Sequence, residues 1–277
     1  MPPCKPAKPY LETPVPLAIA HRGFSTDGRE NTLPAFRAAL DLGYQYLETD
    51  LNTTSDGVTL VFHDATLDRV TDQRGPIAEL PYAVVSRARI GGREPVPTLR
   101  ELFEALPGAN FNIDVKDARS AANLAALIEE FGLHDRVCVA SFSDTRRREV
   151  LRRLSRPVAC SPGKKLLVAY FALQAWAPAP VMRVLMRAVD VLQIPTRHKN
   201  MELVTRRSVA RAHRAGLKVH VWTINEPAEM HRLLDLGVDG IMTDRADVLA
   251  GVMRERGYWS ADGTQAAPTP APPAPTA

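Results

Sequence analysis

Cysteine is scarce: Cys4, Cys138 and Cys160 are the only three in 277 residues. They are too few for a disulfide framework and are not spaced as a metal knuckle, so a reducing cytoplasm is the expected compartment. Long apolar runs are also missing. Val15 to Ala20 is short, contains Pro16 and runs straight into His21-Arg22-Gly23, which excludes a secretory h-region there. The longest uncharged stretch, Leu166 to Met182, falls short of the roughly 20 apolar residues of a spanning helix. It holds Gln174 and is interrupted by Pro178 and Pro180. Two readings remain for it: a loop and helix packed on the fold, which is favoured, or an interfacial segment with basic flanks making peripheral membrane contact through 166–182. No sign of charge dominates. Lys+Arg is 35 against 31 Asp+Glu, a net charge of +4 without a concentrated stripe, which argues against a nucleic-acid binder. There is no solenoid-length repeat. The absence of His-x-His and His-Glu-x-x-His argues against a metal-dependent deacetylase or amidohydrolase.

What is present is ordinary globular composition, 45% hydrophobic and 24% charged, and a regular alternation. Strand-like runs lie at Leu17–Ala20, Tyr46–Leu51, Val58–Phe62, Asn110–Val115, Val137–Ser141, Pro157–Cys160, Val189–Ile194, Leu217–Trp222 and Val238–Met242. Helix-period stretches at Leu33–Leu42, Leu99–Leu106, Ala121–Phe131, Asp144–Leu154, Leu203–Ala215 and Ala228–Leu236 separate them. Repeated β-then-α units of this length predict an α/β fold, a TIM (β/α)8 barrel. The runs exceed eight by one. Ser55-Asp56-Gly57 explains the surplus as a hairpin turn, so one neighbouring run includes an antiparallel excursion. The stretch 64–97, rich in Gly and Pro, is expected to form a small insertion over one barrel mouth, after the third strand-like run. The expected organisation is an N-terminal extension over 1–16, the barrel over 17–260, and a disordered Ala/Pro-rich tail over 261–277.

Polar groups cluster where the strands end, which is where parallel β/α barrels carry their reactive residues. The first run ends in His21-Arg22-Gly23, the second carries Glu48 and Asp50, the third ends in His63-Asp64, and the fourth carries Asp114 and Lys116. Residues two apart on a strand share a face. A lone strand-end carboxylate or histidine is usually structural. Two carboxylates on one face, however, repel unless a cation neutralises them. With Asp114 they make three hard oxygen donors, suited to Ca²⁺ or Mg²⁺ and not to zinc. His21 and His63 suit a general acid and a general base, and Arg22 and Lys116 suit phosphoryl oxygens. Together these groups point to metal-assisted phosphoester chemistry.

The ordered set His21-Arg22-Gly23, Glu30-Asn31-Thr32, Glu48-x-Asp50, Asp56-Gly57, His63-Asp64 and Asp114-x-Lys116 resembles the signature of glycerophosphodiester phosphodiesterases. Val221-Trp222-Thr223-Ile224-Asn225 and the stretch from Asp239 to Asp244 resemble the family's last two strands, so the likeness runs from about Leu17 to Leu249. The resemblance implies a TIM barrel, a divalent cation, and hydrolysis of glycerophosphodiesters to sn-glycerol 3-phosphate and an alcohol. By matched position His21 and His63 become the acid/base pair, Glu48, Asp50 and Asp114 the metal ligands, and Arg22 and Lys116 the phosphate contacts. Glu30 joins the same polar cluster without an assigned role. Asn31-Thr32 has either a catalytic part or a helix-capping one, and Trp222 either stacks on the glycerol or leaving group or is plain core. Asp114 stands where the family usually has Glu, which leaves the ligand one methylene shorter. The nucleophile is either water or the glycerol 2-hydroxyl. Two other readings are a lysophospholipase D-type hydrolase at a membrane surface and a non-catalytic barrel used as a scaffold.

Overall fold

The computed structural model of the protein describes residues 8–259; Cys4, most of the expected N-terminal extension and the expected tail lie outside them. Eight parallel strands form the wall: β1 (Leu17–His21), β2 (Tyr46–Thr53), then, beyond the antiparallel strand β3 (Thr59–Val61), β4 (Asn110–Val115), β5 (Val137–Ala140), β6 (Ala159–Cys160), β7 (Val191–Ile194), β8 (Lys218–Val221) and β9 (Gly240–Thr243). Their order is β6-β5-β4-β2-β1-β9-β8-β7, with β3 paired antiparallel to β2. The surplus run is therefore the expected excursion, turned at Gly57 with φ 91°. The ring is nearly closed. Across the gap between β6 and β7, the Asp190 N–H donates to Cys160 O at 2.9 Å and the Asp190 carboxylate accepts the Cys160 N–H at 3.1 Å.

Helices alternate with these strands: α1 (Leu33–Asp41), α2 (Leu99–Ala105), α3 (Ala118–Phe131), α4 (Asp144–Arg153), α5 (Lys164–Leu173), α6 (Ala179–Leu185), α7 (Arg206–Arg214), α8 (Pro227–Leu236) and α9 (Ala246–Glu255). Local chemistry sets their starts. Thr32 accepts the Ala35 N–H, Asp117 the Arg119 and Ser120 N–H groups, and Thr98 forms a reciprocal box with Glu101. The capping role suggested for Asn31-Thr32 thus falls to Thr32. Two helical segments differ from expectation. α9 has no counterpart among the expected helical stretches, although its apolar face is buried. The uncharged stretch around 166–182 is broken before Pro178, as expected, but both sides are helical, so it forms a hairpin of α5 and α6 with Pro178 at the start of the second helix.

Strand alternation sorts the core. Leu47 and Leu51 of β2, with Val219 and Val221 of β8, point outward to the helices. Leu17, Ile19, Tyr46, Cys138, Val191 and Met242 fill the interior, closed below by Tyr10, whose ring meets Tyr46 edge-on at 5.1 Å. The insertion holds its own apolar cluster, with Leu67, Ile77, Val85 and Ile90 packed on Leu60 and Phe62.

His220 is the anomaly of this interior. It is 1% exposed, and neither ring nitrogen has a hydrogen-bond partner among the described residues. Burial pushes its pKa down to about 4, opposed by Asp239 and aided by Lys218. A histidine held neutral in the fold takes up a proton on unfolding. Stability is therefore complete above the free value near 6.5 and falls as pH drops toward 4, by roughly 3 kcal/mol in all. Melting temperatures measured across that window should show this slope and lose it in His220→Gln. A slope unchanged by the substitution would assign the effect elsewhere.

Candidate active site

Register gathers the site at the carboxyl ends of β1, β2 and β4. Parallel pairing sets His21 level with Glu48, and Asp50 level with Asp114. Sequence spacing shows only that Glu48 and Asp50 share a face; the ladder brings Asp114 beside them. At the end of β1 the chain turns sharply, with Arg22 at φ 56° and Gly23 at φ 83°. A Cβ on Gly23 would lie 2.7 Å from the Ala35 carbonyl carbon, so only glycine lets this turn rest on α1. The turn aims Arg22 back over β2, where its Nε lies 3.2 Å from Asp50 Oδ2 and its Nη1 donates to Glu30 at 2.9 Å.

Lys116 reaches in from the end of β4. Its Nζ stands 2.9 Å from Asp50 Oδ1 and 2.7 Å from Asp114 Oδ2. These cations decide the protonation of the cluster. Burial alone would raise Asp50, but Lys116 and Arg22 outweigh it and hold the carboxyl below its usual range. At Asp114 burial, with Asp50, outweighs Lys116 and Arg146 and leaves the carboxyl raised. Burial and then the neighbouring Asp50 push Glu48 up to about 8.

The two histidines each rest on an aspartate. His21 Nδ1 lies 2.6 Å from Asp244 Oδ1, and Asn225 donates to the other Asp244 oxygen at 3.0 Å. His63 Nδ1 lies 2.6 Å from Asp64 Oδ1, whose second oxygen accepts from Arg69 Nε at 2.5 Å. Both aspartates are held as carboxylates: for each, burial acts upward and is outweighed, by His21 and Asn225 at Asp244 and by Arg69 and His63 at Asp64. Each must therefore accept from Nδ1–H, which leaves Nε2 as the working nitrogen. On His21, burial acts downward and is exceeded by Glu48, 3.7 Å from Nε2, and by Asp244, so the net shift is upward. Asn52 fixes the His63 loop by donating to the Phe62, His63 and Asp64 carbonyls.

All the residues expected from sequence converge here except Trp222, which is placed at the rim. Its ring meets Phe142 at 6.3 Å, and Phe142 is 57% exposed with Lys116 Nζ 5.7 Å from its ring. Glu30 acquires a definite place between Arg22 and Arg69. Asp244, Asn225, Arg69 and Phe142 were not singled out for the site. Asp244 lies within a matched motif and could have been found there. Arg69 sits in the aperiodic insertion, with no signal pointing to it.

The donor set suits a hard cation, although the side chains are drawn onto their own cations. Among the described residues no group of three His, Cys, Asp or Glu is spaced to hold a metal ion, and Lys116 lies between Asp50 and Asp114. Yet Asp114 Oδ1 is buried without a hydrogen-bond partner, and Asp50 Oδ2, also buried, has only the ion-pair contact with Arg22 Nε at 3.2 Å. Oxygen donors left in that state, beside a raised Glu48, fit Ca²⁺ or Mg²⁺.

A parallel β/α barrel with these groups at its mouth defines the class of barrel hydrolases that act on phosphodiesters. The model of the glycerophosphoryl diester phosphodiesterase family matches residues 21–248, and the chain belongs to that family. It is 39% identical over 244 residues to a Mycobacterium tuberculosis protein named "Probable glycerophosphodiester phosphodiesterase 2", covering 88% of this chain and 92% of the relative. It is 28% identical over 258 residues to the Mus musculus protein named Lysophospholipase D GDPD1, covering 82% of each. An Oleispira antarctica phosphodiesterase, solved with the product sn-glycerol-3-phosphate, matches the fold with a TM-score of 0.71 at 23% identity, over 87% of this chain and 97% of its own.

Proposed function

We propose that the mouth cleaves glycerophosphodiesters to sn-glycerol 3-phosphate and an alcohol, with His21 and His63 as acid and base. The observation that carries this reading is the pair of Asp-oriented imidazoles on either side of one carboxylate and guanidinium cluster. Arg22 and Lys116 receive the nonbridging phosphoryl oxygens, exchanging part of their hold on Asp50 for the substrate. His21 carries the proton, because the Asp244 carboxylate beside Nδ1 favours its charged form, and delivers it to the departing alkoxide. His63 takes the proton of the nucleophile, with Arg69 and Asp64 keeping its ring in place. Glu48, Asp50 and Asp114 would hold the divalent cation, which when bound supplies charge neutralisation at the phosphoryl group.

The first test is release of glycerol 3-phosphate from glycerophosphocholine in a coupled assay. Release dependent on a divalent cation supports the reading. Folded protein that releases none under Ca²⁺ or Mg²⁺ overturns it.

A second substrate class has one specific observation in its favour. Phe142 and Trp222 make an apolar lip at the rim, where the alcohol side of the diester would emerge, and this suits a lysophospholipid. Choline release from lysophosphatidylcholine at a rate rivalling that from glycerophosphocholine would select this lysophospholipase D-type reading.

A further inference from the structure

Hydrophobic exposure is concentrated in one place. Of the eight exposed large hydrophobic side chains among the described residues, five lie on the α5–α6 hairpin: Trp176 at 89%, Val184 at 63%, Val168 at 61%, Val181 at 50% and Leu173 at 43%. All but Val168 cluster around the hairpin turn and along α6. Leu173 ends α5 and Trp176 lies in the turn just after it, while Val181 and Val184 stand one turn apart on α6. The opposite side of the hairpin is anchored on the barrel through Tyr170, Met182 and Met186. This is a packed element with a second apolar face, not a loose loop.

Its surroundings are positive. From Ser155 to Asn200 the chain carries Arg156, Lys164, Lys165, Arg183, Arg187, Arg197 and Lys199, and a single acid, Asp190. That acid is turned inward onto the Cys160 N–H, and the nearby Glu202 is paired with Arg232. Arg183 is held on the Arg214 carbonyl, at 3.0 and 2.9 Å, while Lys164, Lys165 and Arg187 are exposed around the apolar residues. Apolar side chains flanked by such cations, with a tryptophan at the hairpin turn, are the composition of a surface that meets anionic headgroups. A second copy of this chain fits less well, because a two-fold contact would face these cations with themselves. None of the helices in the described residues is long and apolar enough to cross a membrane, so contact would be peripheral.

We propose that the α5–α6 hairpin docks the protein on an anionic lipid bilayer, with Trp176, Val168, Val181 and Val184 entering the interface and Lys164, Lys165 and Arg187 meeting the headgroups. Docking there brings the mouth close to the surface. α5 begins at the rim, where the Lys164 N–H donates to Phe142 O at 2.9 Å. The docking stands whichever diester the mouth cleaves, so its test uses no turnover as readout.

The experiment is cosedimentation of the full chain with phosphatidylcholine vesicles, with and without phosphatidylserine. Binding is expected only with phosphatidylserine and should weaken with salt. Lys164→Gln together with Lys165→Gln should reduce affinity by roughly thirtyfold, taking a headgroup-level lysine at its usual worth. Trp176→Glu should abolish binding while leaving the melting temperature unchanged, since the side chain is almost wholly exposed. Absence of phosphatidylserine-dependent binding at low salt overturns the proposal, as does binding indifferent to Trp176→Glu. A concentration-dependent dimer that Trp176→Glu dissolves, without vesicle binding, overturns it in favour of self-association.

Discussion

His21→Ala and His63→Ala should each lower turnover of a glycerophosphodiester by about two to four orders of magnitude, the usual worth of a positioned acid or base. Both proteins should still fold, because neither side chain belongs to the apolar core and each rests at the mouth on an aspartate. The two losses should differ in kind. Protonation of the leaving group matters for an alkoxide and hardly at all for p-nitrophenolate. A glycerophospho-p-nitrophenyl diester should therefore restore most of the rate of His21→Ala and little of that of His63→Ala. Equal restoration of both would cancel the assignment of His21 as acid, and a variant with a near-normal rate on the natural type of substrate would remove that histidine from the mechanism. Asp244→Asn gives a finer reading of the same site. It keeps a group beside Nδ1 but removes the charge that favours protonated His21, so the His21 pKa should fall and the alkaline limb of the kcat profile should move toward lower pH. A merely structural role for Asp244 would change stability and leave the profile in place.

How far this site could be read in advance depends on the range of the interaction involved. Glu48 and Asp50 share a face because strands alternate, which is a property of adjacent residues, and their pairing was visible from spacing alone. The barrel followed from the same kind of local periodicity, and the Ser55-Asp56-Gly57 turn accounted for the extra strand-like run. What spacing could not supply was partnership at distance. Asp244 meets His21 across 223 residues of chain, and Arg69 meets Glu30 across 39. Such pairs are fixed by barrel closure and by the fold of the insertion, neither of which leaves a periodic trace. Proline was half-read at α5–α6. Pro178 and Pro180 do break the segment, as read, but they also start a second helix, where a missing N–H costs nothing, and that helix went unread. α9 went unread for a different reason. Its buried residues Ala246, Leu249, Ala250 and Met253 do follow the i, i+3, i+4, i+7 stripe of an amphipathic helix, but two of the four are alanines, so the apolar signal along the sequence is weak.

Chelation of divalent cations should suppress hydrolysis by at least about a thousandfold, the scale of several kcal/mol of charge stabilisation, and Ca²⁺ or Mg²⁺ should restore it. A second measurement reaches the same carboxylates without relying on turnover. Lys116 is the ammonium that neutralises both Asp50 and Asp114, which are 2% and 8% exposed. Lys116→Met keeps much of the stem but leaves two buried carboxylates with Arg22 as their remaining close cation. Removing one partner from a buried pair typically costs about 3–5 kcal/mol. That loss should appear in urea denaturation under EDTA. If Glu48, Asp50 and Asp114 hold a cation, excess Ca²⁺ or Mg²⁺ should return part of it, about 2.7 kcal/mol at a hundredfold excess over Kd. The recovery should be larger than in the unsubstituted protein, where Lys116 already screens the charges, and Asp50→Asn added to Lys116→Met should abolish it. A Lys116→Met protein whose stability ignores both cations, alongside turnover that survives EDTA, would remove the metal from this site and leave Arg22 and Lys116 as its whole positive charge.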